Sequence, residues 1–304
     1  MVPGPEVLPR SGLIQLGVAV VLLSSAWPVT KTALTLGASP LWFAVGRAGL
    51  SAVAAFAALA VMGRLRLPRR ADRPAVLAVG LLQLAGFFGF AHAAAAWIPA
   101  GRTGVLSNVT TIWLVPLSML VLGETISARR WCAAGCGMAG VGVLMSPWSI
   151  DWHSGQVVLG HLLLMGAGLS WSAAIVIVRR WPPRSTMLQL VPWCFGLATL
   201  VLLPLALLIH PEPGHWGMPA LAALGYIGLV AGPIGTWCIM EVTAVLPTMV
   251  SSIGFLLSPA LGLLLSAWFL GEALTPDLIG GAVLILASVA LAAWPGRRSA
   301  KVSA

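Results

Sequence analysis

The stretch PAGRTGVLSNVTTIWLVPLSMLVLGE, residues 99–124, decides the fold together with its counterpart PTMVSSIGFLLSPALGLLLSAWFLGE, residues 247–272. The two align without a gap at an offset of 148 residues and share a leading proline and a closing Leu-Gly-Glu. Each is apolar with one interior proline, Pro116 in the first copy and Pro259 in the second. Self-similarity over this length indicates a chain built from two similar halves.

Composition places both halves in a membrane. Hydrophobic residues make up 59% of the 304 positions and charged residues only 8%, whereas a water-soluble surface needs far more charge. The net charge of +9 comes from short basic clusters between apolar spans and not from a basic face interleaved with aromatics. This pattern predicts a lipid bilayer as the partner and no nucleic acid. The four cysteines lie within apolar stretches and are expected to be core residues.

Ten apolar segments are close to the roughly 20 residues that a membrane-spanning helix needs. They lie at 13–34, 41–62, 74–96, 103–122, 130–146, 157–178, 187–209, 218–240, 248–270 and 276–294. The sequence therefore predicts an all-α integral membrane protein with ten transmembrane helices. We expect the first five in a repeat at 12–148 and the second five in a repeat at 155–295.

The loop charges predict the orientation. A cytoplasmic N-terminus puts 14 of the 17 Lys and Arg residues on the cytoplasmic side, as the positive-inside rule requires. Both termini are then cytoplasmic. Because five is an odd number of spans, the second repeat runs upside down, an arrangement on which alternating access is commonly built, with the substrate near the midplane.

Interior prolines in corresponding spans point to that substrate site, because a proline leaves backbone carbonyls free to face a cavity. Near them lie Asn108, Thr111 and Trp113 in the first half and Ser258 in the second. The alternative for the small hydroxyl residues is close helix packing. Three further tryptophans inside spans, Trp27, Trp171 and Trp237, are expected to contact an amphipathic substrate or, alternatively, to fill the core.

Three ionisable residues are candidates for a charge or proton-coupling site. Arg47 lies about seven residues into the second span, His92 lies near the end of the third, and Glu241 ends the eighth. Ionisable groups at membrane depth usually face a cavity or a partner. Each also has a structural alternative: a pair with a helix end for Arg47, helix packing for His92, and a place at the cytoplasmic interface for Glu241.

No signature of catalysis or nucleotide binding is present, so we predict neither an enzyme nor a cofactor or metal site. The expected function is secondary transport of small molecules. Two other classes stay open: a membrane-embedded enzyme that acts on a lipid through His92 or His161 with Glu241, and a non-transporting membrane sensor.

The pattern Ile98-Pro99-Ala100-Gly101-Arg102-Thr103-Gly104-Val105-Leu106, then Pro116 and Leu122-Gly123-Glu124, followed by a glycine-rich span, resembles the EamA repeat of the drug/metabolite transporter superfamily. Residues 244–272 resemble its second copy. The resemblance implies a ten-helix permease of the cell inner membrane that exports amino acids, their analogues or other small metabolites. We expect a monomer or a homodimer. Pro28 departs from the family, which more often has glycine after the position of Trp27.

The closing Leu-Gly-Glu of each copy is predicted to be a helix-ending turn, with Glu124 and Glu272 structural. The fifth span is rich in glycine, and the tenth contains Gly280 and Gly281. Small residues let helix backbones approach each other closely. We therefore expect these two spans to form scaffold or dimer surface.

Overall fold

The computed structural model describes residues 10–106, 110–123, 128–145, 154–246 and 248–293, and its regular elements there are all helices. The helices are α1 (Arg10–Thr35), α2 (Pro40–Val61), α3 (Arg70–Ala95), α4 (Ala100–Leu106), α5 (Thr110–Leu122), α6 (Ala128–Met145), α7 (Gly155–Arg180), α8 (Met187–Ile209), α9 (218–245), α10 (Thr248–Leu270) and α11 (Pro276–Ala293).

Six of the described helices are long and apolar enough to cross a membrane: α1, α2, α3, α7, α8 and most of α9. Large apolar side chains face outward, with Leu120 and Leu208 both 82% exposed. Such an exterior suits hydrocarbon and not water. The prediction of a helical, multi-pass membrane protein is confirmed, while the count of ten spans stays a prediction.

The two halves of the chain are interleaved and do not form separate lobes. The extensive helix pairs join a first-half helix to a second-half helix: α1 with α9 and α10, α2 with α8 and α9, α3 with α7 and α8, α5 with α7, and α6 with α11. Alanine and glycine line many of these contacts. Gly228, for example, leaves no room for a Cβ, which would lie 2.6 Å from Leu50 Cβ. Small residues thus let the backbones of the two halves approach closely.

Both Leu-Gly-Glu motifs end a helix, as predicted. Helix α5 ends at Leu122 and α10 at Leu270, and the glycine that follows has φ of 64° at Gly123 and 66° at Gly271. This left-handed conformation is common just past a helix C-terminus and costs glycine nothing.

Glu272, directly after the second of these turns, accepts a 2.6 Å hydrogen bond from the Ala100 backbone N–H. That group is one of the unpaired donors at the start of α4. This bond supports the structural role predicted for Glu272, and Glu124 lies outside the described residues.

Helices α6 and α11 pack against each other through their glycines. A Cβ at Gly140 would lie 2.8 Å from Ile285 Cγ1 and 3.0 Å from Gly281 O. Ser288 Oγ donates a 2.6 Å hydrogen bond to Ala133 O across the same contact. The close contact supports the scaffold role expected of the fifth and tenth spans.

Two helices contain irregular segments that the sequence did not indicate. Residues Ala78–Gly86 of α3 and Tyr226–Ala231 of α9 are π-helical. Helix α5, by contrast, continues through Pro116. π-Helical turns are rare and are frequently found at functional sites. The irregular backbone therefore lies in the third and eighth predicted spans. The interior prolines had pointed to the fourth and ninth spans, which follow them in the chain.

Candidate functional site

An aromatic cluster forms where α1, α3 and α7 meet. The Phe87 ring contacts Trp171 at a centroid distance of 4.8 Å and Trp27 at 6.3 Å, both nearly edge to face. This geometry favours aromatic pairs. Both tryptophans are half-buried, and a Cβ at Gly104 of α4 would lie 2.9 Å from the Trp27 ring. The structure thus brings together two of the predicted tryptophans, one from each half, through Phe87.

A polar pair adjoins this cluster. Arg47 Nη1 lies 3.3 Å from His92 Nε2, and the Arg47 guanidinium carbon lies 4.0 Å from the centroid of the Phe88 ring. The fully buried His92 ring is 6.3 Å from that of Trp27. Arg47 and His92 were predicted separately from two spans, and the structure places them in contact.

The contacts of His92 fix which ring nitrogen carries its proton. Nδ1 lies 2.8 Å from Phe88 O, and a carbonyl oxygen only accepts, so Nδ1 is the donor. In the neutral ring Nε2 is then an acceptor, and the Arg47 guanidinium donates to it. His92 therefore holds the arginine in place and leaves its charge uncompensated.

Lys31 and Arg102, the other two basic residues outside the loop clusters, have different surroundings from Arg47. Lys31 Nζ donates to Ala95 O at 2.6 Å and to Ile98 O at 3.2 Å, where α3 ends. Arg102 interacts electrostatically with the carboxylates of Asp277 and Glu272. Among the residues that the structure describes, Arg47 has no such carboxylate beside it. An uncompensated cation at this depth is costly and usually marks a functional site.

Ser258 lies at the contact between α10 and α1. Ser24 Oγ donates a 2.9 Å hydrogen bond to Ser258 O and lies 3.4 Å from Ser258 Oγ. Pro28 lacks the N–H that would bond Ser24 O within α1, and this carbonyl lies 3.3 Å from the position of a Cβ at Gly262. The structure thus places Ser258 at a close helix contact, where the free carbonyl of Ser24 faces the other half.

The remaining predicted residues are less closely defined. The Trp113 indole nitrogen is buried without a hydrogen-bond partner among the described residues, and the Trp237 side chain is 39% exposed. Asn108 lies outside the described residues. Thr111 and Glu241 belong to α5 and α9, and their side chains also lie outside the description.

Sequence reasoning missed two serines that contact the π-helical segments from the opposite half. Ser170 of α7 donates to Leu82 O at 2.7 Å, and Ser51 of α2 donates to Gly228 O at 2.9 Å. A Cβ at Gly86 would overlap the Ser170 hydroxyl, and one at Gly232 would overlap that of Ser51. These two glycines lie 146 residues apart, which is close to the 148-residue offset of the repeat. That spacing could have indicated the glycines as corresponding positions.

The model of the EamA-like transporter family matches residues 10–146 and again 158–294. Uncharacterized transporter YvbV of Bacillus subtilis is 27% identical over 93% of this chain and 91% of its own length. The probable terminal-alkyne amino-acid exporter of Streptantibioticus cattleyicolor is 23% identical over 92% and 96%. The probable amino-acid metabolite efflux pump of Salmonella typhimurium is 26% identical over 75% and 80%.

One solved structure superposes with a TM-score of 0.66 at 20% identity, covering 96% of this chain and 99% of its own, which shows a shared fold. The two family matches together span nearly the whole chain. The protein therefore belongs to the EamA-like transporter family and is a multi-pass membrane protein, which in bacteria resides in the inner membrane.

Proposed function

We propose that this transporter exports small metabolites that carry a carboxylate, such as amino acids or their analogues, by alternating access. The observation that carries the proposal is Arg47, a cation without a neighbouring carboxylate among the described residues, beside an aromatic cluster. A carboxylate substrate would compensate its charge through charge-assisted hydrogen bonds. The names of two relatives, an amino-acid exporter and an amino-acid metabolite efflux pump, point to the same substrate class.

In this proposal Trp27 and Trp171 form the apolar walls of the site, with Phe87 between them. Trp113, Asn108, Thr111, Ser258 and Trp237 complete the lining. An amino acid has one charged end and a variable side chain, so a cation next to aromatic surfaces suits it. Ten spans in two inverted repeats, at 12–148 and 155–295 with cytoplasmic termini, would present this site to each side of the membrane in turn.

The Arg47–His92 contact also offers a route for proton coupling. A proton on His92 Nε2 would remove the lone pair to which Arg47 donates. Two cations would then face each other, and Arg47 would be driven away. A carboxylate bound to Arg47 would offset one of these charges, so substrate binding at Arg47 and proton binding at His92 would be linked through one contact. Glu241 is the second candidate for the proton site.

The test uses purified protein in liposomes, with labelled amino acids and matched analogues in which a carboxamide replaces the carboxylate. We expect saturable flux that favours the carboxylate. Arg47→Gln removes a charge-assisted contact and should raise KM for the carboxylate roughly 10- to 100-fold, with little change for the carboxamide. Arg64→Gln, at an exposed arginine in the loop after α2, is the matched control.

The absence of saturable flux for every compound, from protein that elutes as a folded species, would count against the proposal. Unchanged discrimination by Arg47→Gln would count against Arg47. For the walls, Trp27→Ala should slow transport, whereas Trp268→Ala should not, because Trp268 is 79% exposed on α10. For coupling, His92→Gln should abolish the response of flux to a pH gradient, and Glu241→Gln should do so instead if Glu241 binds the proton.

A further inference from the structure

A groove of about 510 Å³ lies on the outside of the bundle between the start of α3 and the end of α7. Leu77 and Leu81, one turn apart on α3, form one wall, and Ile177 and Trp181, similarly spaced along the chain, form the other. Leu77 is 50% exposed and Trp181 49%. The groove is therefore apolar and open to the surroundings, and its volume is within the range of about 300–1,000 Å³ typical of ligand sites.

The loop end of this groove is positively charged. Arg73 lines it one turn before Leu77. The Arg180 guanidinium carbon lies 5.4 Å from the centroid of the Trp181 ring, a cation–π contact. The neighbouring carboxylate of Asp72 is turned away from both, because its two oxygens accept hydrogen bonds from Arg69, Arg184 and Ser185. The Asp72 carboxylate therefore does not compete with an external anion for the two arginines.

The same hydrogen bonds fix the distance between the two walls. Asp72 directly precedes Arg73 on the α3 side, and Ser185 follows Trp181 by four residues on the α7 side. The Asp72 carboxylate receives both the backbone N–H and the hydroxyl of Ser185, at 3.0 and 2.7 Å. A buried contact between the first turn of α3 and the loop after α7 thus holds the groove open. The groove is formed before a ligand binds.

We propose that this groove binds one anionic phospholipid of the leaflet on the arginine-rich face. Its phosphate contacts Arg73 and Arg180, and an acyl chain lies along Leu77, Leu81 and Ile177 beside the Trp181 ring. Basic pockets between transmembrane helices on the cytoplasmic side are a recurring way to hold acidic headgroups. The assignment of that leaflet to the cytoplasmic side rests on the orientation in the proposed function. The chemistry of the groove is independent of that orientation.

The test is native mass spectrometry of the full chain in detergent, titrated with phosphatidylglycerol or with phosphatidylcholine of the same acyl chains. The wild type should bind one phosphatidylglycerol in preference to phosphatidylcholine. Arg73→Gln and Arg180→Gln should each weaken phosphatidylglycerol binding about fivefold, the value of one basic residue near an acidic headgroup. They should weaken phosphatidylcholine binding less, because the choline group already offsets the charge of its phosphate. Leu81→Trp, which fills the apolar wall, should weaken both.

Arg64→Gln is the control, since it removes an exposed charge of the same face outside the groove. Equal affinity of the wild type for the two lipids would overturn the proposal. Weakening by Arg64→Gln as large as that by Arg73→Gln would also overturn it, because the attraction would then come from the whole basic face. The assay measures binding without flux, so its result is independent of whether the substrate proposal holds.

Discussion

The loop contact made by Asp72 yields the sharpest stability prediction. The carboxylate is fully buried and accepts four hydrogen bonds: Oδ1 from the N–H groups of Arg184 and Ser185, at 2.7 and 3.0 Å, and Oδ2 from Arg69 N–H and Ser185 Oγ, at 2.9 and 2.7 Å. The Ser185 and Arg184 donors lie more than a hundred residues along the chain from Asp72. The contact therefore ties the first turn of α3 to the loop after α7, and hence one half to the other.

Asp72→Asn keeps the shape but replaces one acceptor oxygen by an NH2 group. With the amide nitrogen at the Oδ2 position, Arg69 N–H loses its acceptor, while the Ser185 hydroxyl can rotate to accept. A hydrogen bond to a charged group contributes about 1.5–3 kcal/mol, and a neutral one about 1 kcal/mol. One lost bond and three weakened ones give a destabilisation of at least about 3 kcal/mol. For a chain of this size that corresponds to a fall of about 5 °C in the thermal midpoint.

The assay is the fraction of protein that elutes as a monodisperse species after heating in detergent. Ser185→Ala should cost about 2 kcal/mol, and the double variant should cost less than the sum because Asp72→Asn already weakens the bond that Ser185→Ala removes. Glu212→Gln is the control, since it makes the same chemical change at an exposed carboxylate. Asp72→Asn within the error of the wild type, or strictly additive costs in the double variant, would refute the reasoning.

Three further changes test the packing and the backbone. Gly140→Ala should lower the thermal midpoint by several degrees because its Cβ meets α11, whereas Gly135→Ala, with nothing within 4 Å of its Cβ, should not; equal effects would contradict the close contact. Gly123→Ala should cost about 1 kcal/mol through its left-handed φ, and an unchanged midpoint would contradict that conformation. Ser170→Ala should speed amide hydrogen exchange in residues 78–86, and unchanged exchange would show that the hydroxyl does not stabilise the π-helical turn.

The parts of the fold that the sequence predicted are those set by local composition. The seventh and ninth spans were placed at 187–209 and 248–270, the bounds of α8 and α10. Polar or proline-containing segments interrupt the hydropathy on both sides of α8, and the Leu-Gly-Glu turn ends α10. The π-helical segments had no comparable local signal. Each π-helical segment accepts a hydrogen bond from a serine hydroxyl on a helix of the other half, so we attribute it to tertiary contacts.

The candidate site divides in the same way. Arg47 and His92 were identifiable singly, because an ionisable residue inside an apolar span is rare. Their contact depends on the register of α2 against α3, which a single sequence does not encode locally. Phe87 was missed because an aromatic in an apolar run looks like any core residue. Asp72 was missed because it stands among arginines in a loop, a setting typical of a solvated side chain.

The bonds between the two halves differ in strength, and this difference indicates where the halves can separate. The Asp72 carboxylate is charged and buried, and it accepts three hydrogen bonds from the second half. The contacts of Ser170 and Ser51 with the π-helical segments are single neutral hydrogen bonds, each contributing about 1 kcal/mol, and a carbonyl released there can bond water or a substrate. If the halves rock against each other, we therefore expect the contact of Asp72 with Arg184 and Ser185 to act as the pivot. We expect the contacts of Ser170 and Ser51 to break. The residue that would sense this motion is Arg47, because its partner His92 lies on α3, the helix whose π-helical turn Ser170 contacts.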